Sequence, residues 1–158
     1  MTPSVADVVA ELHERGVTLP AGNVRVDYYG DSPELSRQLL SLIRSGQKRA
    51  GTGLLWLHEQ EGVPFAQAGD IEVVLTHDHQ PSIVTRVTQV DVLPYREVSA
   101  EYAAIEGEGD GSLAYWRKAH WTYFGRVCAS IGKVATEEML VVCSVFEVLH
   151  LLPDQDAA

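Results

Sequence analysis

The apolar residues of this chain change period along its length without settling into a repeating strand–helix unit, and that narrows the possible folds more than any motif does. Val5, Val8, Val9 and Leu12 recur at helical spacing, and so do Leu35, Leu39, Leu40, Leu42 and Ile43. Each set is the single apolar stripe of a helix lying on a core. Ile71–Thr76, Ile83–Val92 and Met139–Leu151 instead read as strands, the second with Val84, Arg86, Thr88, Val90 and Val92 on one parity. His77-Asp78-His79-Gln80-Pro81 reads as the hairpin connection between the first two. A doubly wound sheet would need strict alternation, so this order predicts an α+β fold.

Helix punctuation is dense. Thr2 and Pro3 suit the start of a first helix that Gly16 ends, and Thr18 to Asn23 reads as a loop. Asp31 or Ser32 caps a second helix with Pro33 in its first turn, and Gly46 stops it. From Gly51 the chain turns toward β structure. Ser99 caps a short helix through Ile105, ended by Gly107, and a longer helix is expected from Ser112 to Ile131 with Gly132 as its stop. The tail from Pro153 to Ala158 is expected to fray.

The 158 residues fit one domain with a self-sufficient core. Acidic residues number 22 and basic residues 12, a net charge of −10 that argues against coating duplex DNA through bulk charge. It leaves room for a local basic site, and Arg37, Arg44, Lys48 and Arg49 cluster at and beyond the second helix. Cys128 and Cys143 form no CxxC pair, so neither a zinc ribbon nor a disulfide scaffold is indicated, and a cytoplasmic setting fits. The most apolar stretch, Met139 to Leu152, is broken by Glu147 and His150 and is short of the ~20 residues a membrane span needs.

Three segments could carry chemistry. Ser45-Gly46-Gln47-Lys48-Arg49-Ala50-Gly51-Thr52-Gly53 brings backbone N–H groups and two cations together, as an anion site would, but lacks P-loop spacing. It also reads as a glycine-stopped helix end whose cations complement the dipole. Glu106-Gly107-Glu108-Gly109-Asp110-Gly111-Ser112 alternates carboxylates with glycines; it reads as a solvated turn with a cap, and an EF-hand fails because Arg117 stands where the bidentate acid belongs. The helix after it carries Tyr115, Trp116, His120, Trp121, Tyr123 and Phe124. Such aromatics pack cores or stack on bases. His77 and His79 on a turn read as solvated rather than metal-binding.

Gly30-Asp31-Ser32-Pro33-Glu34-Leu35, Ser45-Gly46-Gln47-Lys48-Arg49-Ala50 and the block Glu106 to Trp116, with Val141-Val142-Cys143 and Phe146, resemble the ASCH domain family in its bacterial single-domain branch. The likeness covers Val24 to Val148. It implies a PUA-like bent β-barrel surrounded by helices, as residues 24–152, after an N-terminal helix and loop (1–23) and before a tail (153–158). It implies an RNA- or nucleotide-binding protein, in one version a metal-dependent ribonuclease acting on single-stranded RNA. The alternatives are an amidohydrolase acting on N4-acetylcytidine-type nucleosides, or a non-catalytic ligand-sensing domain. Lys48, Glu106 and Thr52 are then the catalytic candidates; Glu106 and Glu108 would hold any Mg²⁺ or Mn²⁺. Arg49, Trp56, Arg86, Glu108, Ser112, Tyr115, Trp116 and His120 are the ligand-binding set, with Lys48 and Arg49 on phosphate. Lys48, Trp56, Glu106 and Tyr115 are expected to border one cleft. The family's nucleophilic Thr falls at Gly51, and Thr52 points the other way in an extended strand. Hydrolysis of N4-acetylcytidine is therefore expected to be weak, and Gly51→Thr to raise it.

Overall fold

A computed structural model describes residues 2–153. The elements run α1 (Val5–Glu14), β1 (Val24–Tyr28), α2 (Pro33–Ser45), β2 (Ala50–Leu54), α3 (Leu55–Glu61), β3 (Ile71–Leu75), β4 (Pro81–Pro94), a 3₁₀ turn (Tyr95–Glu97), α4 (Ala100–Glu106), α5 (Leu113–Ser130) and β5 (Leu140–Leu151). The architecture is α+β: a curled five-strand half-barrel with helices packed on it. Strand order is β1-β3-β4-β5-β2. The β1–β3 pair is parallel and the other pairs antiparallel.

Local signals place the helices. Ser32, Ser99 and Ser112 each accept a backbone N–H at a helix start, and Gly46 and Gly107 end their helices in the left-handed region. The first helix is capped by Ser4 rather than Thr2, because Pro3 lies just outside it. Residues 154–158 of the tail lie outside the described residues.

The strands depart from the sequence pattern where tertiary context dominates. Ile83, Val84, Thr85 and Val87 are all buried, since α1 covers one face of this region and α2 the other. Register shifts between Val84 and Thr85 and between Val87 and Gln89 then break the single parity expected over Ile83–Val92. β1 and the seven-residue α3 are unsignalled in the sequence, and β2 carries two glycines, Gly51 and Gly53. Val8 and Leu12 pack on Ile71, Val73, Leu75 and Val84; Leu40 and Ile43 pack on Val74, Ile83 and Phe146. The i, i+4 stripe Trp116, His120, Phe124 and Cys128 of α5 is buried against Leu54, Tyr95 and Val141. Burying each large apolar ring there contributes roughly 2–3 kcal/mol.

β1 and β2 are the two edges of the sheet and do not pair with each other. The seam between them is bridged by a side chain: Tyr29, one residue past β1, lies against Gly51 of β2. No helix among the described residues is long and apolar enough to cross a membrane.

Candidate active site

The open seam is a cleft of about 850 Å³ lined by Arg25 to Gly30, by Gly51 to Leu54 and by the Tyr115–Val127 side of α5. That volume suits a small molecule. Lys48, Glu106 and Glu108 meet at its floor. Their meeting has a local cause. After the left-handed turn at Gly46 the N–H groups of Gln47 and Lys48 both donate to Leu42 O, which reverses the chain. Arg49 N then donates to Ile105 O at 2.9 Å, and Gln47 Nε2 donates to Gly107 O at 2.8 Å, stitching the end of α4 to this turn. A Cβ at residue 107 would collide with Gln47 O, and its φ is +69°, so only glycine permits the approach.

Lys48 is 1% exposed. Its Nζ donates to Ala50 O at 2.7 Å, Glu106 Oε2 at 3.2 Å and Glu108 Oε2 at 3.3 Å, which gives an ammonium three acceptors for three N–H bonds. Glu106, also 1% exposed, accepts four bonds. Thr52 Oγ1 at 2.5 Å and Trp116 Nε1 at 2.9 Å reach Oε1, and Lys48 and His120 Nε2 at 2.9 Å reach Oε2. His120 Nδ1 faces Trp116 O at 2.9 Å, so both ring nitrogens meet acceptors and the ring fits as an imidazolium. Tyr102 Oη donates to Gly51 O at 2.7 Å and lies 3.0 Å from Thr52 Oγ1.

The environment separates the acids. Burial alone would raise Glu106, but the charge of Lys48 and the hydrogen bond and charge of His120 outweigh it and hold Glu106 well below the usual carboxylate range. Burial, then the neighbouring Glu106, pushes Glu108 up to about 7. Burial opposes the charge on His120, yet Glu106 and Glu108 raise it. The result is one carboxylate held ionised beside another that exchanges its proton near neutral pH, the division of labour acid–base chemistry needs.

Of the expected site residues, Lys48, Thr52, Glu106, Glu108, Tyr115 and His120 line the cleft. Trp116 sits behind it as a buried donor rather than an exposed stacking ring. Trp56 is half-buried against the main core, outside the cleft lining, with Lys133 over its ring. Arg49 caps Ile43 O and Lys48 O, Arg86 pairs with Glu147 on the exposed sheet face, and Ser112 caps α5. Arg44 holds Ser82 O and Leu152 O. The basic cluster therefore presents no row of free cations: Lys48, Arg44 and Arg49 all hold partners within the protein. Tyr29, Tyr102, Asp27 and Glu72 are site-region residues that sequence reasoning missed.

Glu106, Glu108 and His120 also bring potential metal-ligand atoms within 4.8 Å of one another. They do not fit Mg²⁺ or Mn²⁺. Lys48 Nζ already holds the position shared by both carboxylates, and His120 Nε2 spends its proton on Glu106.

Thr52 and Gly51 point to opposite sides of β2, and the Thr52 hydroxyl lies on the side of Glu106. A Cβ at Gly51 would stand 3.0 Å from Tyr29 Cε1 and 3.2 Å from its hydroxyl oxygen. A threonine at this position, Gly51→Thr, would therefore press on the Tyr29 ring. The variant is expected to lose roughly 1–3 kcal/mol of stability through overpacking and to be less active than the natural protein. Thermal melts and turnover check this, and a gain of activity would refute it.

A family model for the ASCH domain matches residues 25–150. The fold resembles the ASCH domain from Lactobacillus crispatus JV V101, with TM-score 0.79, 31% identity, and coverage of 93% of this chain and 95% of that one. It also resembles protein EF3133 from Enterococcus faecalis V583, with TM-score 0.76, 28% identity, and coverage of 93% and 88%. Among curated proteins, none matches the sequence.

Proposed function

The chain belongs to the ASCH domain family, and from that premise we propose that it is a hydrolase cleaving the acyl amide of a nucleoside-sized molecule, an N4-acylated cytidine being the substrate class. One observation carries this reading: the Thr52 hydroxyl donates to a carboxylate that two cations hold in place.

In this mechanism Thr52 Oγ1 attacks the acyl carbon while its proton passes to Glu106 and on to Glu108, whose Oε2 shares Lys48 Nζ with Glu106 Oε2. The C–N bond breaks, and the same proton returns from Glu108 to the leaving amine. Water then hydrolyses the threonyl ester, releasing the carboxylic acid and restoring the hydroxyl. Glu106 is held too acidic to keep the proton, so its work is to orient the hydroxyl and pass the proton on. Glu108, near 7, is matched to neutral pH. Lys48 and His120 place positive charge beside the reacting group, in a buried site where it acts strongly.

The Thr52–Glu106 contact supports this reading over phosphate binding. The walls of the cleft carry Asp27, Glu61, Glu72, Glu106 and Glu108 against Arg25, Lys48, Lys118 and Arg126, with Lys48 enclosed by carboxylates and Arg126 paired with Asp31. With neither sign dominant, the cleft offers a neutral nucleoside aromatic rings and hydrogen-bonding oxygens. The test is release of acetate and cytidine from N4-acetylcytidine by the purified protein, with and without a chelator. Turnover untouched by the chelator is expected. No turnover, together with salt-sensitive binding of single-stranded RNA, would return the RNA reading.

A further inference from the structure

A second pair of acids faces the cleft from the other side of the seam, and the hydrolytic chain does not use it. Asp27 is on β1 and Glu72 on β3. Arg25 stands opposite Glu72 in the parallel register, so Arg25, Asp27 and Glu72 project from one face of the sheet. Glu72 is 5% exposed, and its carboxyl hydrogen-bonds Asp27 but no other side chain or backbone group among the described residues. It is not sealed off. The one sealed, unpartnered side-chain oxygen among the described residues is Thr85 Oγ1, and both Asp27 and Glu72 line the cleft. A carboxyl buried without a donor is costly, and the neighbouring Val73 and Val74 show what a strand built only for packing carries.

The pair's chemistry follows from sharing one proton. Burial, then the neighbouring Asp27, pushes Glu72 up to about 9, so at neutral pH Glu72 donates to Asp27. Asp27 also accepts Tyr28 N at 2.8 Å. With that proton spent inside the pair, the groups left for a ligand are acceptor oxygens, one set on each residue. Two adjacent acceptors on one wall match two adjacent O–H donors, the arrangement by which a carboxylate holds ribose hydroxyls in nucleotide sites. Tyr29 stands between the two acid pairs: its ring lies on Gly51, next to Thr52, and burial followed by the charges of Glu72, Asp27 and Glu106 raises its phenol.

We propose that Asp27 and Glu72 form a sugar subsite, accepting from the vicinal hydroxyls of a ribose while the acylated base reaches Thr52. The proposal rests on the nucleoside reading above and is tested apart from turnover. Calorimetry would compare cytidine, 2′,3′-dideoxycytidine and cytosine on the natural protein and on Asp27→Asn, Glu72→Gln and Glu72→Met. The natural protein is expected to bind cytidine at least about tenfold more tightly than the other two, the effect of one charge-assisted hydrogen bond. Glu72→Gln should keep that preference, because its amide donates to Asp27 and its carbonyl still accepts. Asp27→Asn and Glu72→Met should lose it. Glu72→Met removes a buried acid in favour of a side chain of similar size, so its melting temperature should not fall, which separates lost recognition from lost folding.

Cytidine bound no better than its dideoxy form, no binding of any of the three, or a preference that survives Glu72→Met would each overturn the subsite. Hydrolysis of N4-acetylcytidine without a hydroxyl preference would sink the subsite and leave the hydrolase. A hydroxyl preference without hydrolysis would do the reverse.

Discussion

Thr52→Ala is expected to lower kcat on N4-acetylcytidine by at least about 10³-fold while the protein stays folded, because removing a nucleophile eliminates a pathway rather than weakening it. The structural cost is contained. Glu106 loses one of four donors and keeps Lys48, His120 and Trp116, a change of about 2 kcal/mol for a hydrogen bond to a charged group. Thr52→Ser keeps the hydroxyl and should retain most of the activity. Glu108 adds a pH dependence whose sign can be worked out. Its carboxyl is pushed up to about 7, so below that it is already protonated and cannot receive the Thr52 proton. The rate should fall as pH drops below about 7, and Glu108→Gln should remove that limb along with most of the rate. Steady-state kinetics and a thermal melt check all three variants. A Thr52→Ala protein that still turns over briskly would remove the nucleophile from the scheme.

The parts of this site that were legible in the sequence are those written locally. Ser32, Gly46, Ser99, Gly107 and Ser112 announce the helix ends that bring Lys48 to Glu106, because caps and left-handed turns depend on one or two residues. The Lys48–Glu106 partnership itself came from family likeness: the two are 58 residues apart, and no periodicity links them. β1 was invisible because its alternate positions, Arg25 and Asp27, are charged residues that face a cleft rather than solvent. β2 was obscured by its glycines, which weaken strand propensity and are explained at Gly51 only by the ring of Tyr29. Asp27 and Glu72 become a pair only through the β1–β3 register. Trp56 and Trp116 show the converse error, since an aromatic side chain alone does not say whether its ring faces a core or a cleft.

Lys48→Met should produce the largest loss of stability of any single change considered. The methionine can fill the space of the lysine stem, but it leaves Glu106 Oε2 and Glu108 Oε2, now within 3.3 Å of a shared cation, facing each other with no charge between them. Breaking a buried ion pair on one side costs about 3–5 kcal/mol, on the order of a 10 °C fall in Tm for a chain of this size. The pH dependence distinguishes this from simple mispacking. In the natural protein Lys48 and His120 hold Glu106 below its ordinary value, so Glu106 contributes stability above the unfolded carboxylate range, and that contribution disappears as pH falls through its folded value. Without Lys48 the remaining carboxylates are shifted upward by burial and by each other. The folded variant then binds more protons than the unfolded chain, and its stability rises as pH falls. The gap between the two proteins should therefore be widest at neutral pH and above and should close toward pH 4–5, near the unfolded carboxylate values. Adding Glu108→Gln, which removes one of the facing charges, should recover part of the loss at neutral pH. Urea denaturation at several pH values measures each step. A Lys48→Met protein that melts with the natural one at neutral pH, or whose deficit is the same in acid, would mean that the ammonium does not hold these carboxylates together.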